Sequence, residues 1–377
     1  MRIFHIHESF QELPDLPAAL PAEGYLWVTS GRREFEVQIG QLQESLQRWG
    51  VGTLVDLHVS DLLNHQLPSQ FDYTSWYDLL VFRRLAAGSG SSGLFVDGEH
   101  GTASTARQAL ESIDTSPVGF ALFDRLLVTV HPTECQVRDF FVSRLSQFGT
   151  PPAGATDVRQ DPRTDGKTGS PRLPPNPADL MLRIVNHMVD SYLELRRLLT
   201  RQLGYLQKEL LNPRSRFDNW QALLESRNAL HQLEDTCEDQ RSAVQEWIDP
   251  LAEWPPEPET QAQRERELLR VRSRDVLEHI ERVLGHVRRL ESSAESAVQM
   301  HFSAQANRTN DIMRTLTVLT AVFMPLTLVT GFFGMNFEFL PLIHSGVGFW
   351  VITLLMLLLA AGLVAFFRRK RYLEQGR

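Results

Sequence analysis

The sequence predicts an α+β soluble domain followed by a long helix and two C-terminal transmembrane helices. Two uncharged runs indicate the membrane part: 23 residues lie between Arg314 and Glu338, and 23 more form Ser345–Phe367. A helix needs about 20 apolar residues to cross the hydrocarbon core of a bilayer, so each run is long enough. A buried helix of a soluble protein rarely contains such a run, and two in succession favour a membrane hairpin.

The rest of the chain has the composition of a water-soluble body. The mean hydropathy of the 377 residues is negative although the C-terminus is strongly apolar. The formal net charge of -8 disfavours a nucleic-acid partner and suits the handling of cations. Cys135 and Cys237 lie far apart in the sequence, which gives no disulfide framework and indicates a reducing compartment. Met1–Pro17 lacks an apolar signal core, so we expect the first membrane helix to direct insertion.

The first 150 residues alternate between strand-like and helix-like segments. Short strands bounded by glycine or polar residues are predicted at Arg2–His7, Gly24–Thr29, Gly52–His58, Gly93–Asp97, Val118–Phe123 and Leu126–Val130. Helical periodicity is present at Val37–Trp49 and Glu134–Phe148. These segments predict a mixed α/β cytoplasmic domain at 1–150, in which the last two strands form a hairpin.

Two groups of histidines in this domain have spacings compatible with metal binding. His5 and His7 would share one face of a strand, and His58, Asp61 and His65 would share one face of a helix. Neither group has a cysteine or a third fixed ligand at a known metal spacing, so surface or core-edge histidines are the favoured interpretation. The sequence contains no Ser/His/Asp signature, HExxH motif or Gly-rich phosphate loop, and we therefore predict that the protein is not an enzyme.

The composition changes at 151–177, where proline, glycine and aspartate dominate and few side chains can be buried. We predict a flexible linker there, with a partner-binding segment as the alternative. A cytoplasmic helical region is predicted at 178–312. Apolar residues at steps of three and four predict helices at Asp179–Leu211 and Phe217–Ile248, and prolines predict a turn at Pro250–Pro258.

The last cytoplasmic helix, at about 259–312, is predicted to be a long stalk. It contains no proline, and apolar residues such as Val276, Ile280 and Leu284 recur about every 3.5 residues. Because no break precedes the first membrane span, Glu259–Gly334 is predicted to form one rod of 76 residues. A rod of this length needs like rods beside it, and two spans enclose no pore. We therefore expect several copies of the chain to assemble around an axis.

The transmembrane hairpin is predicted at 313–377, with helices at about 313–334 and 346–367 and a basic tail. Arg308 and Arg314 precede the first helix, and Arg368–Arg371 follow the second. The loop Phe337–His344 contains neither Lys nor Arg. By the positive-inside rule both termini are expected to be cytoplasmic and the loop to face outward.

One stripe of the first membrane helix carries hydroxyl, amide and thioether groups and no charge. Its members recur at steps of three or four, with Leu316 at the border: Asn310, Met313, Thr317, Thr320, Met324, Thr327 and Gly331. The residues alone leave two interpretations open. Thr and Gly favour close packing of membrane helices. A water-filled lumen would use the same groups as ligands, with Met and Leu side chains forming hydrophobic constrictions.

Several motifs of this region resemble the CorA family of divalent metal-ion transporters. Gly334-Met335-Asn336 matches the Gly-Met-Asn signature that closes the first membrane helix of that family. Further similar segments are Asn310–Met313, Met324–Thr327, Phe367–Leu373 and, more loosely, Asp61–Asn64 and Gly119–Val130. The resemblance implies an α/β/α sandwich in the cytoplasm, a funnel-shaped homopentamer and a location in the bacterial inner membrane. It also favours the lumen over simple helix packing.

The resemblance further implies uptake of Mg²⁺, and of Co²⁺ or Ni²⁺, through a central pore. The selectivity filter would be Gly334, Met335 and Asn336, where a ring of amide oxygens suits the hydration shell that Mg²⁺ loses reluctantly. Glu338 would gather cations at the entrance. Many family members have a second acidic residue where this chain has Leu342, so we expect a weaker outer field.

The sequence leaves the identity of the transported metal open. The ZntB-like branch, which transports Zn²⁺, shares the fold. The stripe contains no His or Cys, so a borderline ion would have no preferred ligand there, and this favours Mg²⁺. A membrane-anchored binding protein that transports nothing is the alternative from a different class.

A regulatory site is also implied by the resemblance. Arg274–His279 is similar to the Arg-Asp-Val-x-Asp-His segment of the family's stalk helix. Asp275 would then ligate a regulatory Mg²⁺ between subunits, with Glu278 close by on the same helix face. Its partner carboxylate is not identified, and Asp97 and Glu99 are candidates. An ordinary solvated helix face among arginines is the alternative.

Overall fold

The computed structural model describes residues 1–88, 113–132, 135–149, 173–212, 220–253, 260–335 and 346–370. The chain forms two compact units, Met1–Ala294 and Glu295–Arg377. The predicted boundaries of the four segments, 1–150, 151–177, 178–312 and 313–377, stay predictions. Most of the predicted linker lies outside the described residues, as do the predicted strand Gly93–Asp97 and the carboxylate candidate Glu99.

The strands of the first unit are short, and three of them are buried along their whole length. Their bounds are β1 Arg2–Ile6, β2 Phe10–Leu13, β3 Tyr25–Gly31, β4 Gln70–Tyr73, β5 Asp78–Arg83, β6 Ala86–Ala87, β7 Ile113–Asp114, β8 Pro117–Phe123 and β9 Leu126–His131. Among the described residues, seven strands form a sheet in the order β2-β1-β3-β9-β8-β5-β4. The pair β3 and β9 is parallel, and the other neighbours in this sheet are antiparallel. The predicted hairpin of β8 and β9 is confirmed.

Helices surround this sheet and continue into the second unit. Their bounds are α1 Arg32–Trp49, α2 Asp56–Leu63, α3 Gln136–Gly149, α4 Pro177–Asp190, α5 Tyr192–Leu210, α6 Trp220–Glu253, α7 Thr260–Phe333 and α8 Gly346–Arg369. The continuity of α7 from the stalk into the first apolar run is as predicted. It forms although Pro325 lies within it, and a proline removes one backbone hydrogen bond of a helix.

The sheet is covered by helices on both faces. In β3, Tyr25 and Trp27 belong to one buried cluster, whereas Leu26 and Val28 belong to another, because successive side chains of a strand point to opposite faces. The first cluster includes buried side chains of α3, α4, α5, α6 and α7. The second includes those of α1 and α2. The predicted α/β/α sandwich is therefore confirmed.

The predicted strand at Gly52–His58 is wrong, because α2 begins inside it at Asp56. The backbone N–H of Val55 donates to the hydroxyl of Tyr77 at 2.9 Å, and His58 contacts the same hydroxyl. These contacts come from a residue distant in sequence, so the short apolar run could not reveal them. Helix α2 packs closely on the sheet at Gly119, where an added Cβ would lie 2.4 Å from a methyl carbon of Leu62.

The helical region also differs in detail from the prediction. The predicted helix Asp179–Leu211 is two helices, α4 and α5, which meet at Ser191. Its hydroxyl lies 3.2 Å from the carbonyl oxygen of Leu85, outside the helices. The predicted turn at Pro250 begins too early, since α6 continues to Glu253. Leu251 is buried beyond the proline, and this burial offsets part of the roughly 3 kcal/mol cost of an internal proline.

A buried carboxylate joins α4 to α7. Asp179 pairs with Arg183 at 3.0 Å and with Arg272 of α7, and its side chain is 4% exposed. Burial lowers the pKa of both guanidinium groups. Breaking a buried pair leaves an uncompensated charge, so these contacts hold the start of α4 against the stalk. The amide of Asn176 caps α4 by accepting from the backbone N–H of Asp179 at 2.8 Å.

A polar chain crosses the centre of the sandwich. The indole N–H of Trp27 donates to Thr129 Oγ1 at 3.0 Å, and this oxygen lies 2.9 Å from His131 Nε2. His131 Nδ1 lies 3.3 Å from Cys135 Sγ. Burial, with smaller effects of nearby arginines, lowers the pKa of His131 to about 3. The imidazole is therefore neutral in the folded protein at physiological pH.

This depressed pKa predicts acid sensitivity of the first unit. The unfolded chain binds a proton near pH 6.5, so the contribution of His131 to stability is complete above that pH and is lost as pH falls towards 3. Between pH 7 and 5 we expect this group to cost about 2 kcal/mol. In His131→Gln the loss of thermal stability over the same interval should be smaller, as followed by circular dichroism of the detergent-solubilised protein. The exposed His65→Gln control should behave as the wild type, and an unchanged slope in His131→Gln would refute the assignment.

Candidate functional site

Two helices are long and apolar enough to cross a membrane, judged by length and composition among the described residues. They lie within 263–333 of α7 and 347–369 of α8. In the second unit most large apolar side chains of both helices are exposed. In water this exposure would be strongly unfavourable, and lipid or further protein must cover it.

The face of α7 that is covered within the second unit is narrow. Its buried or half-buried positions recur at helical spacing: Val318, Ala321, Val322, Pro325, Leu326, Val329 and Phe333. The stripe singled out from the sequence lies on the opposite side of the helix, because residues advance by about 100° each. All its members are exposed in the single chain: Asn310, Met313, Leu316, Thr317, Thr320, Met324, Thr327 and Gly331.

The threonines of this stripe donate their protons to the helix itself. Thr317 donates to the carbonyl of Met313 at 2.7 Å, and Thr320 donates to that of Leu316 at 2.9 Å. Thr327 repeats the pattern with the carbonyl of Phe323 at 2.9 Å. A hydroxyl whose proton is used in this way still has lone pairs that accept hydrogen bonds. The stripe therefore offers hydrogen-bond acceptors to whatever lies along it.

The predicted filter lies at the end of α7 and is described only in part. Gly334 and Met335 follow the last helical residue, with the backbone N–H of Gly334 donating to the carbonyl of Thr330 at 2.9 Å. A Cβ at Gly334 would lie 2.9 Å from that same backbone oxygen, so the turn requires glycine. Asn336 and Glu338 lie outside the described residues.

The two residues of the predicted regulatory site, Asp275 and Glu278, have different partners within the chain. Glu278 pairs along α7 with Arg282 at 2.8 Å. Asp275 instead lies 3.8 Å from His279, and the other ring nitrogen of His279 lies 3.4 Å from Asp190 at the end of α4. A histidine thus lies between two carboxylates from different helices. Sequence reasoning missed Asp190 because nothing local links α4 to α7.

The two histidine groups weighed earlier have structural partners. His5 Nε2 lies 3.0 Å from the carbonyl oxygen of Glu23, and His7 pairs with the carboxylate of Glu23. His58 is buried between the hydroxyl of Tyr77 at 2.8 Å and Asp72 at 3.0 Å. Neither group belongs to a set of three clustered ligand atoms in the described part of the chain. The interpretation as core-edge and surface histidines is supported.

Comparison with known proteins establishes the family of this chain. The family model described as "CorA-like Mg2+ transporter protein" matches residues 102–369, which is more than half of the chain. The chain belongs to the CorA family. The family assignment predicted from the sequence is therefore confirmed.

Individual CorA proteins match over shorter stretches. The cobalt/magnesium transport protein CorA of Thermotoga maritima is 32% identical over 100 residues, covering 26% of this chain and 28% of that protein. The protein of the same name from Methanocaldococcus jannaschii is 35% identical over 78 residues, covering 21% of this chain and 25% of that protein. The chain thus spans between a quarter and a third of the length of the curated relatives it matches.

The fold agrees over almost the whole chain. The solved structure of the CorA magnesium transporter from Methanocaldococcus jannaschii has a TM-score of 0.67 at 18% identity, covering 98% of this chain and 97% of that one. The CorA fold therefore comprises the α/β domain, the long helix α7 and the apolar helix α8 in this protein. At this low identity the likeness concerns the fold alone.

The close approach at Gly334 yields a stability prediction. In Gly334→Ala the added methyl group must displace a helix carbonyl, at a cost of about 1–3 kcal/mol. Gly362→Ala in α8 is the matched control, because open space surrounds its Cβ position within the chain. Thermal unfolding of the two detergent-solubilised variants should show a lowered midpoint for Gly334→Ala alone. Equal midpoints would contradict the crowding of that turn.

Proposed function

We propose that the protein conducts divalent cations, principally Mg²⁺, across a membrane through a central pore formed by several copies of the chain. The observation that carries this proposal is the uncharged polar stripe of α7, exposed on the side opposite the covered face. In lipid, the amide of Asn310 and the acceptor lone pairs of the threonine hydroxyls would have no hydrogen-bond partner, so these groups favour a wet or protein-lined environment. Family membership favours the same function.

A pore requires self-association, because the stripe of one chain encloses nothing. Copies arranged around an axis would direct their stripes to a shared lumen and bury the flanking apolar surface. The CorA resemblance implies a homopentamer, and we propose this state. Met313, Leu316 and Met324 would then form hydrophobic constrictions, which can gate a pore by excluding water.

The stripe suits a cation that keeps its water. Mg²⁺ dehydrates reluctantly, and its bound waters donate hydrogen bonds outward. The acceptor oxygens of Thr317, Thr320 and Thr327 complement such a shell. At the outer end we propose Gly334, Met335 and Asn336 as the filter, with amide oxygens contacting the same shell and Glu338 raising the local cation concentration.

The choice of metal is proposed from ligand chemistry. Several related proteins are named for magnesium or for cobalt and magnesium. Zn²⁺ prefers nitrogen and sulfur ligands, and the stripe has neither His nor Cys. Zn²⁺ transport, as in the ZntB-like branch, is the alternative. A membrane-anchored binding protein without transport is the second one.

We further propose that the protein lies in the bacterial inner membrane with both termini in the cytoplasm. Arginines flank the two apolar helices on one side, as the positive-inside rule requires. A membrane potential, negative inside, would then drive cations inward with about 2.3 kcal/mol per charge per 100 mV. No active pumping is needed for uptake.

Cation flux into liposomes tests the proposed pore. The reconstituted wild type should take up Mg²⁺, and Asn336→Ala should reduce the initial rate at least tenfold, because the amide ring contacts the hydrated ion. Asn228→Ala is the matched control, since Asn228 is an exposed asparagine of α6, outside the two apolar helices. It should keep the wild-type rate. Assembly is checked by size-exclusion chromatography.

The same assay separates the alternatives. If the protein assembles correctly but conducts no cation, the membrane-anchored binding protein is the remaining alternative. If uptake of Zn²⁺ exceeds uptake of Mg²⁺ in competition, Zn²⁺ takes the place of Mg²⁺ as the proposed transported cation. A wild-type rate in Asn336→Ala would reject the filter while leaving the pore in place.

A regulatory cation site is proposed at Asp275, with Asp190 in place of the predicted Glu278. The two carboxylates approach His279 from different helices at 3.4 and 3.8 Å. A divalent cation there would join α4 to the stalk and could report the cytoplasmic Mg²⁺ concentration. Oxygen ligands from both carboxylates suit Mg²⁺.

Internal Mg²⁺ should therefore inhibit flux less in Asp275→Asn than in the wild type. Loss of one ligand should raise the half-inhibitory concentration about tenfold or more. Glu278→Gln is the matched control, because Glu278 already pairs with Arg282, and its inhibition curve should coincide with that of the wild type. Coincident curves for all three proteins would remove the regulatory role of Asp275.

A further inference from the structure

A mixed group of nitrogen and oxygen ligands joins α6 to the cytoplasmic part of α7. His231 and Glu234 of α6 and Glu291 of α7 each bring one ligand atom to within 4.8 Å of the other two. Among the described residues these three side chains form a metal-compatible group. We propose that they bind one borderline divalent cation, Zn²⁺, Co²⁺ or Ni²⁺, in preference to Mg²⁺, and so clamp α6 to α7.

The distances are close to those of a coordination shell. Bonds of about 2.0–2.2 Å in a tetrahedral site place ligand atoms about 3.4 Å apart. The distance between His231 Nε2 and Glu291 Oε1 is 3.3 Å, which matches this spacing. Glu234 has flexible side-chain torsions that can move its oxygen the remaining distance. Water can fill the open position, because His231 is more than half exposed.

The helices that carry the ligands are held in place by packing. Leu230 and Leu233 flank the ligands on α6, and Leu290 precedes Glu291 on α7. All three leucines belong to the same buried cluster. The backbone of the site is therefore set by the core, and only side-chain rotation is needed for binding. Ligands on packed helices are better positioned than ligands on loops.

The local charge favours a cation. Arg288 pairs with Glu234 at 2.6 Å and also with Glu238. Three carboxylates, those of Glu234, Glu238 and Glu291, against one guanidinium leave two net negative charges when the imidazole is neutral. The guanidinium of Arg288 donates to one oxygen of Glu234 and orients the carboxylate, so the other oxygen can serve as the metal ligand.

The imidazole of His231 determines which cations the site prefers. Neutral imidazole is a good ligand for Zn²⁺, Co²⁺ and Ni²⁺, whereas Mg²⁺ prefers oxygen ligands and octahedral geometry. This site therefore differs in chemistry from the proposed pore, where neutral oxygen ligands prevail. It would respond to a transition metal in the presence of the millimolar Mg²⁺ that saturates oxygen-only sites.

Co²⁺ binding to the full-length, chelator-treated protein in detergent tests the site. Excess Mg²⁺ is kept present, and the visible absorption of Co²⁺ is followed together with calorimetric stoichiometry. We expect one Co²⁺ per chain, at least tenfold weaker binding in His231→Gln and Glu291→Gln, and wild-type binding in His65→Gln and Asp275→Asn. The first control replaces an exposed histidine and the second disrupts the proposed regulatory site. Because nothing in this measurement depends on flux, it stands or falls separately from the proposed transport.

Three results of the Co²⁺ measurement would overturn the inference. These are unchanged Co²⁺ affinity in His231→Gln, unchanged affinity in Glu291→Gln, or no binding of Co²⁺ while Mg²⁺ is present in excess. A supporting second readout is thermal stability, since a cation that binds only the folded chain raises the unfolding midpoint. Zn²⁺ should raise the midpoint of the wild type and of His65→Gln but not that of His231→Gln. An equal rise in all three would also reject the clamp.

Discussion

The rotation of α7 in the first unit is set by burial of one apolar seam, and the candidate cation sites depend on that rotation. The seam consists of Val276, Ile280, Val283, Leu284, Val287, Leu290 and Ala294. Each large side chain contributes about 1.5–3 kcal/mol when fully buried, so a rotation of the helix would cost many of these contributions at once. With the seam inward, Asp275 and His279 flank it on the side of α4. Arg288 and Glu291 flank it on the side of α6.

The same helix meets a different environment in the second unit. There a narrow face, centred on Val318 and Pro325, is covered within the chain, and the opposite face carries the threonine stripe. Backbone polar groups cannot be left unpaired in lipid, and a helix satisfies them internally. The threonine hydroxyls add bonds to this ladder and keep their acceptor lone pairs outward. The helix can therefore be both stable in a bilayer and polar along one side.

Local periodicity accounts for the helices and strands that could be predicted from the residues. It extends over only a few residues, so elements that depend on contacts between residues distant in sequence were predicted wrongly or missed. Helix α7 and strands β8 and β9 follow from patterns within a few residues. The strand predicted at Gly52–His58 failed because Tyr77, which is distant in sequence, binds the start of α2. Strands β4 and β5 were missed because pairing in the sheet, and not a strong local alternation, specifies them.

The sequence by itself determined the two apolar helices, the continuity of α7, the stripe on its first membrane span and the CorA signature at its end. These properties depend on charge-free length and on the 3.6-residue period, which are local along the chain. Only the tertiary structure decided that Asp190 approaches His279 beside Asp275, and that His231 meets Glu291. Such pairs are brought together by the packing of separate helices into one core, and no local pattern encodes which helices will be neighbours.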